Sequence, residues 1–277
     1  MDGISVPAEQ IVAMDDIAAD VLGLRIVFVN VFAITHADGS WTLVDAGLPF
    51  TASHIRNWAE RYFVRKPNGI VLTHGHFDHV SAAEELAIHW GVPIYAHPKE
   101  FPYLTGEKEY PAPNVGAGGM MSLLSPLYPK GPVNIAEHLR AIPADSDQLD
   151  VMRGWTVIHT PGHTPGHVSF FRESDGILIV GDAFCTTKPE SFFEAALAQQ
   201  PELHGPPAYF TSDWEAACAS VQRLAQLSVR TVVPGHGKPI SGFHVQEELK
   251  ALASRFVDLA VPENRKDQMH HAAKNAI

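Results

Sequence analysis

Thr73-His74-Gly75-His76-Phe77-Asp78-His79 places four metal-ligand side chains within six residues. Imidazole is the commonest protein ligand for zinc, and carboxylate oxygen also coordinates it. In an extended segment residues i and i+2 point the same way, so His74 and His76 are set to grip one ion together. Asp78 and His79 follow where the chain must turn and are free to face a second ion beside the first. The chain has sixteen histidines, so most of them are ordinary core or surface residues. Three histidines and an aspartate at this spacing are much harder to explain that way. The run alone predicts a metal centre with two ions.

Working outward, the run sits at the end of a short apolar stretch, Gly69-Ile70-Val71-Leu72-Thr73, which reads as a buried strand. Three further places have the same form: a buried-type strand, a glycine, then a ligand-capable residue. They are His163 in Pro161-Gly162-His163-Thr164-Pro165-Gly166-His167, Asp182 in Val180-Gly181-Asp182, and His236 in Pro234-Gly235-His236-Gly237. A glycine beside the ligand lets the backbone turn sharply and approach an ion closely. These places complete a set of seven donors: His74, His76, Asp78, His79, His163, Asp182 and His236.

The rest of the pattern frames these strand ends. Strands are expected within Val21–Ile34 and at Trp41–Asp45, Val92–Ala96, Trp155–Thr160 and Arg230–Val233. A hairpin is expected from Val168–Phe171 and Ile177–Val180. Helices are expected at Thr51–Phe63, at Ser81–Trp90 with Ser81 and Glu84 at capping-box spacing, at Asp213–Leu227 capped by Asp213, and from Val245 past Phe256. Polar residues reach strand ends at 45, 74, 163, 182 and 236, and helices alternate with strand groups. This order predicts two sheets packed on each other with helices outside. Residues 100–135 and 183–210 are irregular; each is a pocket-shaping insert, with a floppy connection or a helical cap as the alternative for the first.

At 277 residues, 45% apolar and 18% charged, the chain is an ordinary globular protein. A net charge of −11 argues against nucleic acid and against an anionic membrane surface, both of which favour a basic face. No secretory signal is visible, and no apolar run reaches about eighteen residues. The two cysteines, Cys185 and Cys218, are far apart and in no metal-type spacing. Reduced thiols and a cytoplasmic location are therefore expected. The expected partner is a small-molecule substrate; exposed Met and Tyr in the first insert leave a homodimer open.

With the seven donors in this order, and with Asp45 in Leu43-Val44-Asp45-Ala46-Gly47, the chain resembles the metallo-β-lactamase fold superfamily over about residues 20–245. The resemblance implies an α/β fold, an αββα sandwich with two mixed β-sheets packed face to face and helices on the outer faces, as a single domain over 1–277. It implies that His74, His76 and His163 hold one ion and that Asp78, His79 and His236 hold the other. Asp182 would bridge both, and Asp45 would orient a ligand by hydrogen bond. Two zinc ions are the expected cofactors, with iron or manganese as alternatives. The implied chemistry is hydrolysis, with a metal-bridging hydroxide attacking an ester, lactone, thioester or phosphoester. Asp78 is the candidate catalytic residue, orienting or shuttling a proton.

The residues also sort the branches of the family. Asp182 argues against the true β-lactamases, which usually lack a bridging aspartate. His76 stands where flavin-linked diiron oxidoreductases carry glutamate, and the acidic charge disfavours transfer-RNA processing nucleases. Hydroxyacylglutathione hydrolases (glyoxalase II) match the donors, but their basic glutathione-binding residues are not recognisable here. Acyl-homoserine lactonases also match, yet many carry a tyrosine three residues after the bridging aspartate, where this chain has Cys185. Tyr209 or a tyrosine of the first insert is the candidate substitute. A persulfide dioxygenase is the alternative of a different class, with one iron on His74, His163 and Asp182.

Overall fold

A computed structural model describes residues 10–127, 133–143, 147–188 and 202–266. Phe192 and Phe193 of the second insert, Tyr128 of the first and most of the C-terminal tail lie outside the described residues. The described residues fall into two compact units. One lies within residues 1–110 and 129–158, the other within 111–128 and 159–277.

The first unit is built on a seven-stranded mixed sheet in sequential order: β1 (Ile11–Ala18), β2 (Val21–Ile26), β3 (Val29–Thr35), β4 (Trp41–Val44), β5 (Ile70–Val71), β6 (Ile94–Ala96) and β7 (Leu139–Ala141). The first four strands are antiparallel neighbours, and β4 to β7 run parallel. β3 is buried at every residue except Thr35, which explains its unbroken apolar run. β1, not foreseen from the sequence, is partly exposed along its whole length and carries Asp15 and Asp16. An edge strand of this kind has no strong two-residue apolar rhythm to betray it.

Helix α1 (Ala52–Tyr62) buries Ala52, Ile55, Trp58 and Ala59, the three-and-four spacing of an amphipathic helix. Trp41 anchors the core beneath it, stacked on Phe63 at 4.4 Å and edge-on to Trp90 at 5.5 Å. Burying aromatic rings of this size contributes about 1.5–3 kcal/mol each. The donor run does not lead directly into one long helix. Phe77–Val80 forms a separate turn, α2, and α3 starts only at Ala83 and ends at Trp90, stopped by Gly91 in left-handed geometry at φ 60°. Ser81 is therefore not the expected cap: its hydroxyl donates to the Phe77 carbonyl inside the preceding turn, and no side chain caps α3. The described part of the first insert consists of short helical pieces, including α4 (Phe101–Leu104) and α5 (Gly119–Leu124), so it is no bare loop.

A second, five-stranded mixed sheet lies in the second unit except for the first three residues of its edge strand. Its strands are β8 (Thr156–His159), β9 (Val168–Arg172), β10 (Ile177–Gly181), β11 (Thr231–Pro234) and β12 (Ile240–Ser241), in the order β12-β11-β10-β9-β8. The expected hairpin is present, with Phe171 opposite Leu178, and β10 and β11 run parallel. Helix α6 (Trp214–Leu224) is capped as expected: the Asp213 carboxylate accepts the Ala216 amide at 2.9 Å. Helices α7 (Val245–Ser254) and α8 (Phe256–Leu259) complete the unit, and Phe256 packs against Trp214. Among the described residues no helix is long and apolar enough to cross a membrane.

Candidate metal centre

In the first unit the donors leave the C-terminal end of β5. The Asp45 amide donates to the Val71 carbonyl and the Leu72 amide to the Tyr95 carbonyl, so the sheet hydrogen bonding continues almost to the first of the expected donors. His74, His76, Asp78 and His79 are all buried. Asp45 organises them. Its Oδ1 accepts the Thr73 amide at 2.8 Å, its Oδ2 accepts the Thr73 hydroxyl at 2.9 Å, and Oδ2 also accepts His79 Nδ1 at 2.8 Å. The Thr73 hydroxyl, its proton committed to Asp45, accepts from His74 Nδ1 at 3.1 Å. Both rings thus carry their proton on Nδ1, which leaves Nε2 as the nitrogen able to coordinate a metal.

The geometry fits an ion. His74 Nε2 and His76 Nδ1 lie 3.1 Å apart, close to the separation of about 3.3–3.4 Å for two nitrogens on a tetrahedral zinc with bonds of about 2.0–2.1 Å. Asp78 Oδ2 stands 4.0 Å from His79 Nε2. The alternation that points His74 and His76 together ends at α2, whose turn carries Asp78 and His79.

Glu100, which the sequence did not single out, is wholly buried below this loop. Its Oε2 accepts the Gly75 amide at 3.0 Å and the Tyr110 hydroxyl. Tyr110 lies edge-on to His76 at 4.5 Å and stacks on Tyr103 at 4.0 Å. Burial, reinforced by the Glu100 charge, holds the Tyr110 hydroxyl well above its ordinary pKa, so Tyr110 is a neutral donor. Gly75 is required here: a Cβ would sit 2.5 Å from the Tyr110 hydroxyl.

In the second unit His163, Asp182 and His236 come together at strand ends. Asp182 Oδ2 lies 3.4 Å from His163 Nε2 and 3.1 Å from His236 Nε2. His163 Nδ1 donates to the Thr211 hydroxyl at 3.1 Å, which in turn donates to the Pro207 carbonyl. His163 is therefore fixed with Nε2 toward the carboxylate. His167 serves a different purpose. Its Nε2 accepts the Asp182 amide at 2.8 Å, and its Nδ1 donates to Thr160, which bonds Ser169. It positions the backbone of Asp182. Thr211 and Thr160 were not foreseen; a threonine carries no local signal of such a partner.

Cys185 is buried, lies outside any disulfide and pairs its backbone with that of His204; Cys218 is likewise outside any disulfide, its thiol pushed up by burial. Tyr209 is buried, with its carbonyl accepting the Asn114 amide.

The fold and these donors belong to a known class: the chain is a member of the metallo-beta-lactamase superfamily, whose family model matches residues 24–236. It is 41% identical over 244 residues to the probable metallo-hydrolase YflN of Bacillus subtilis (strain 168), covering 86% of this chain and 92% of that protein. A second relative from the same organism, the probable metallo-hydrolase YybB, is 30% identical over 218 residues, covering 78% of this chain and 83% of that protein. Among solved structures, BLEG-1 B3 metallo-beta-lactamase matches with a TM-score of 0.55 and 26% identity, over 78% of this chain and 90% of that one. TTHA1623 in a di-iron-bound form matches with a TM-score of 0.52 and 25% identity, over 81% and 92%. The two mixed sheets with their helices agree with the α/β sandwich of that family.

Proposed function

We propose that this chain is a dinuclear metal-dependent hydrolase of small-molecule esters, lactones, thioesters or phosphoesters. The supporting observation is the buried Asp182 carboxylate, whose Oδ2 is approached by imidazole nitrogens of both His163 and His236. One carboxylate oxygen facing two ligand nitrogens suits a bridging role. In this reading the family resemblance gives one ion to His74, His76 and His163 and the other to Asp78, His79 and His236, with Asp182 serving both. Zinc is the default for such donors, and iron and manganese also suit them.

Bound there, paired dications supply an activated water near neutral pH and polarise the attacked carbonyl or phosphoryl group. The protein's own part is positional. Asp45, Thr73 and Thr211 fix which ring nitrogens coordinate, and Glu100 holds the Gly75 backbone. Asp78 is assigned the proton: it would take it from the attacking water and pass it to the leaving group. Its carboxylate is buried beside His79, where bulk water does not compete for that proton.

The test is elemental analysis of protein purified without added metal, followed by a panel of thioesters, lactones, aryl esters, phosphodiesters and β-lactams. Two metal equivalents and turnover that His76→Ala or Asp182→Asn abolishes in a folded protein are expected. Full activity in either variant overturns the proposal. A single iron with oxygen consumption on a persulfide overturns it in favour of a dioxygenase.

A further inference from the structure

Three non-glycine residues among those described hold a left-handed backbone: Val27 (φ 60°), Asp45 (φ 62°) and Phe50 (φ 65°). All three gather at one end of the seven-stranded sheet. Phe32 pairs with Val44, so the antiparallel register brings the start of β3, and with it the Val27–Phe28 turn, beside the loop that follows Val44. A Cβ on Gly47 would lie 3.2 Å from Ile26 Cδ1, which confirms that this loop and the β2–β3 turn are neighbours. β4 and β5 are parallel, so His74 to His79 emerge from the same end.

For Asp45 the structure supplies the reason for the strain, since its carboxylate holds His79. Phe50 has no such packing reason: its side chain is 72% exposed. A glycine at 50 would adopt the same backbone without strain. Nor is the segment slack. The Ala46 amide donates to the His79 carbonyl at 2.7 Å, and the Thr51 hydroxyl donates to the Leu48 carbonyl at 2.6 Å. The loop is thus tied to the donor turn at one end and closed on itself at the other, with a large apolar ring held outward between. On the neighbouring turn, Val27 and Phe28 are only half-buried, and the Val27 amide is fixed to the Gln10 carbonyl. Strained non-glycine backbone clusters at ligand-contact sites, and here it coincides with an exposed aromatic ring on a loop bonded to the donor turn.

We propose that Phe50, with the Val27–Phe28 turn beside it, is the surface that receives the apolar acyl chain of the substrate. This rests on the hydrolase reading and narrows it to esters, thioesters or lactones with a hydrophobic acyl portion. Phe50 is then a specificity residue that contributes to binding and leaves bond cleavage to the metal donors.

The experiment compares wild type, Phe50→Gly and Phe50→Trp. With metal-loaded protein, p-nitrophenyl acetate and p-nitrophenyl octanoate are the substrates. Phe50→Gly is expected to raise KM for the octanoate roughly tenfold, the contact of about two methylenes, and to leave kcat and the acetate reaction within about twofold. Relief of strain should raise Tm by roughly 2–4 °C in the same variant. Equal KM changes for both esters, or none, overturn the proposal whatever happens to Tm. Phe50→Trp supplies a readout that needs no turnover. Its emission, taken as the difference from wild type, should shift to the blue on titration with octanoate and stay unchanged with acetate. If neither ester is cleaved, the ester arm of the hydrolase reading fails, and the Trp titration still decides: no octanoate-dependent shift overturns the apolar surface as well.

Discussion

Asp45→Asn isolates the hydrogen bond that orients His79. The native carboxylate accepts from His79 on Oδ2 and from the Thr73 amide on Oδ1. An asparagine keeps a single acceptor oxygen. Turned to keep the Thr73 amide, it puts an NH2 group against the His79 N–H, so a charge-assisted bond of about 1.5–3 kcal/mol is lost. Carried onto the ion-bound state, that loss is about 10- to 100-fold in metal affinity, the range typical of residues that hold ligating histidines. The backbone separates this effect from general damage. At φ 62° asparagine is tolerated, alanine adds roughly 1–2 kcal/mol of strain, and glycine adds none. Asn, Ala and Gly variants should therefore lose metal affinity to similar extents in competition with a chromophoric chelator. In urea unfolding of metal-stripped protein, the Ala variant should be the least stable of the three. Native metal affinity in Asp45→Asn would refute the orienting role. Equal stability of the Ala and Gly variants would refute the strain assignment.

Gly162 precedes His163 at φ 136°, and a Cβ there would lie 2.3 Å from the Ala217 amide nitrogen in α6. Gly162→Ala should cost about 2–6 kcal/mol from strain and overpacking together, read as a lowered urea midpoint; a shift under about 1 kcal/mol would show that α6 yields easily. Asp38 provides a pH test: the Ser40 hydroxyl and amide hold its carboxyl at about 2, below the ordinary 3.8. Because the folded value is depressed, its contribution is complete above the ordinary value and is lost as pH falls through about 2. A carbon-detected NMR titration should find that midpoint and see it rise in Ser40→Ala, whereas a wild-type midpoint at the ordinary carboxylate value would refute the turn's effect.

What could be read from the chain was whatever its neighbours in sequence decide. The alternation of His74 and His76, the glycine before each strand-end ligand and the Asp213 cap are constraints of a few residues, and the structure places those residues as expected. Ser81 shows where such reading fails. Its capping-box spacing is sound, but α2 lies just before it and engages the serine in its own turn. Glu100 was illegible because its partner is Gly75, and nothing around Glu100 marks that pairing.

The choice of coordinating nitrogen combines both kinds of information. His74, His79 and His163 each have Nδ1 engaged, by Thr73, Asp45 and Thr211 respectively. A ring held on Nδ1 presents Nε2, so these three rings would meet an ion with their far nitrogen. His76 is the exception and turns Nδ1 toward His74 Nε2. The spacing brings the two rings together, and the far nitrogen of one meets the near nitrogen of the other at 3.1 Å. The meeting of His74 and His76 is local to His-x-His, whereas the nitrogen each of the other rings turns outward depends on hydroxyls and a carboxylate that only the fold brings to them.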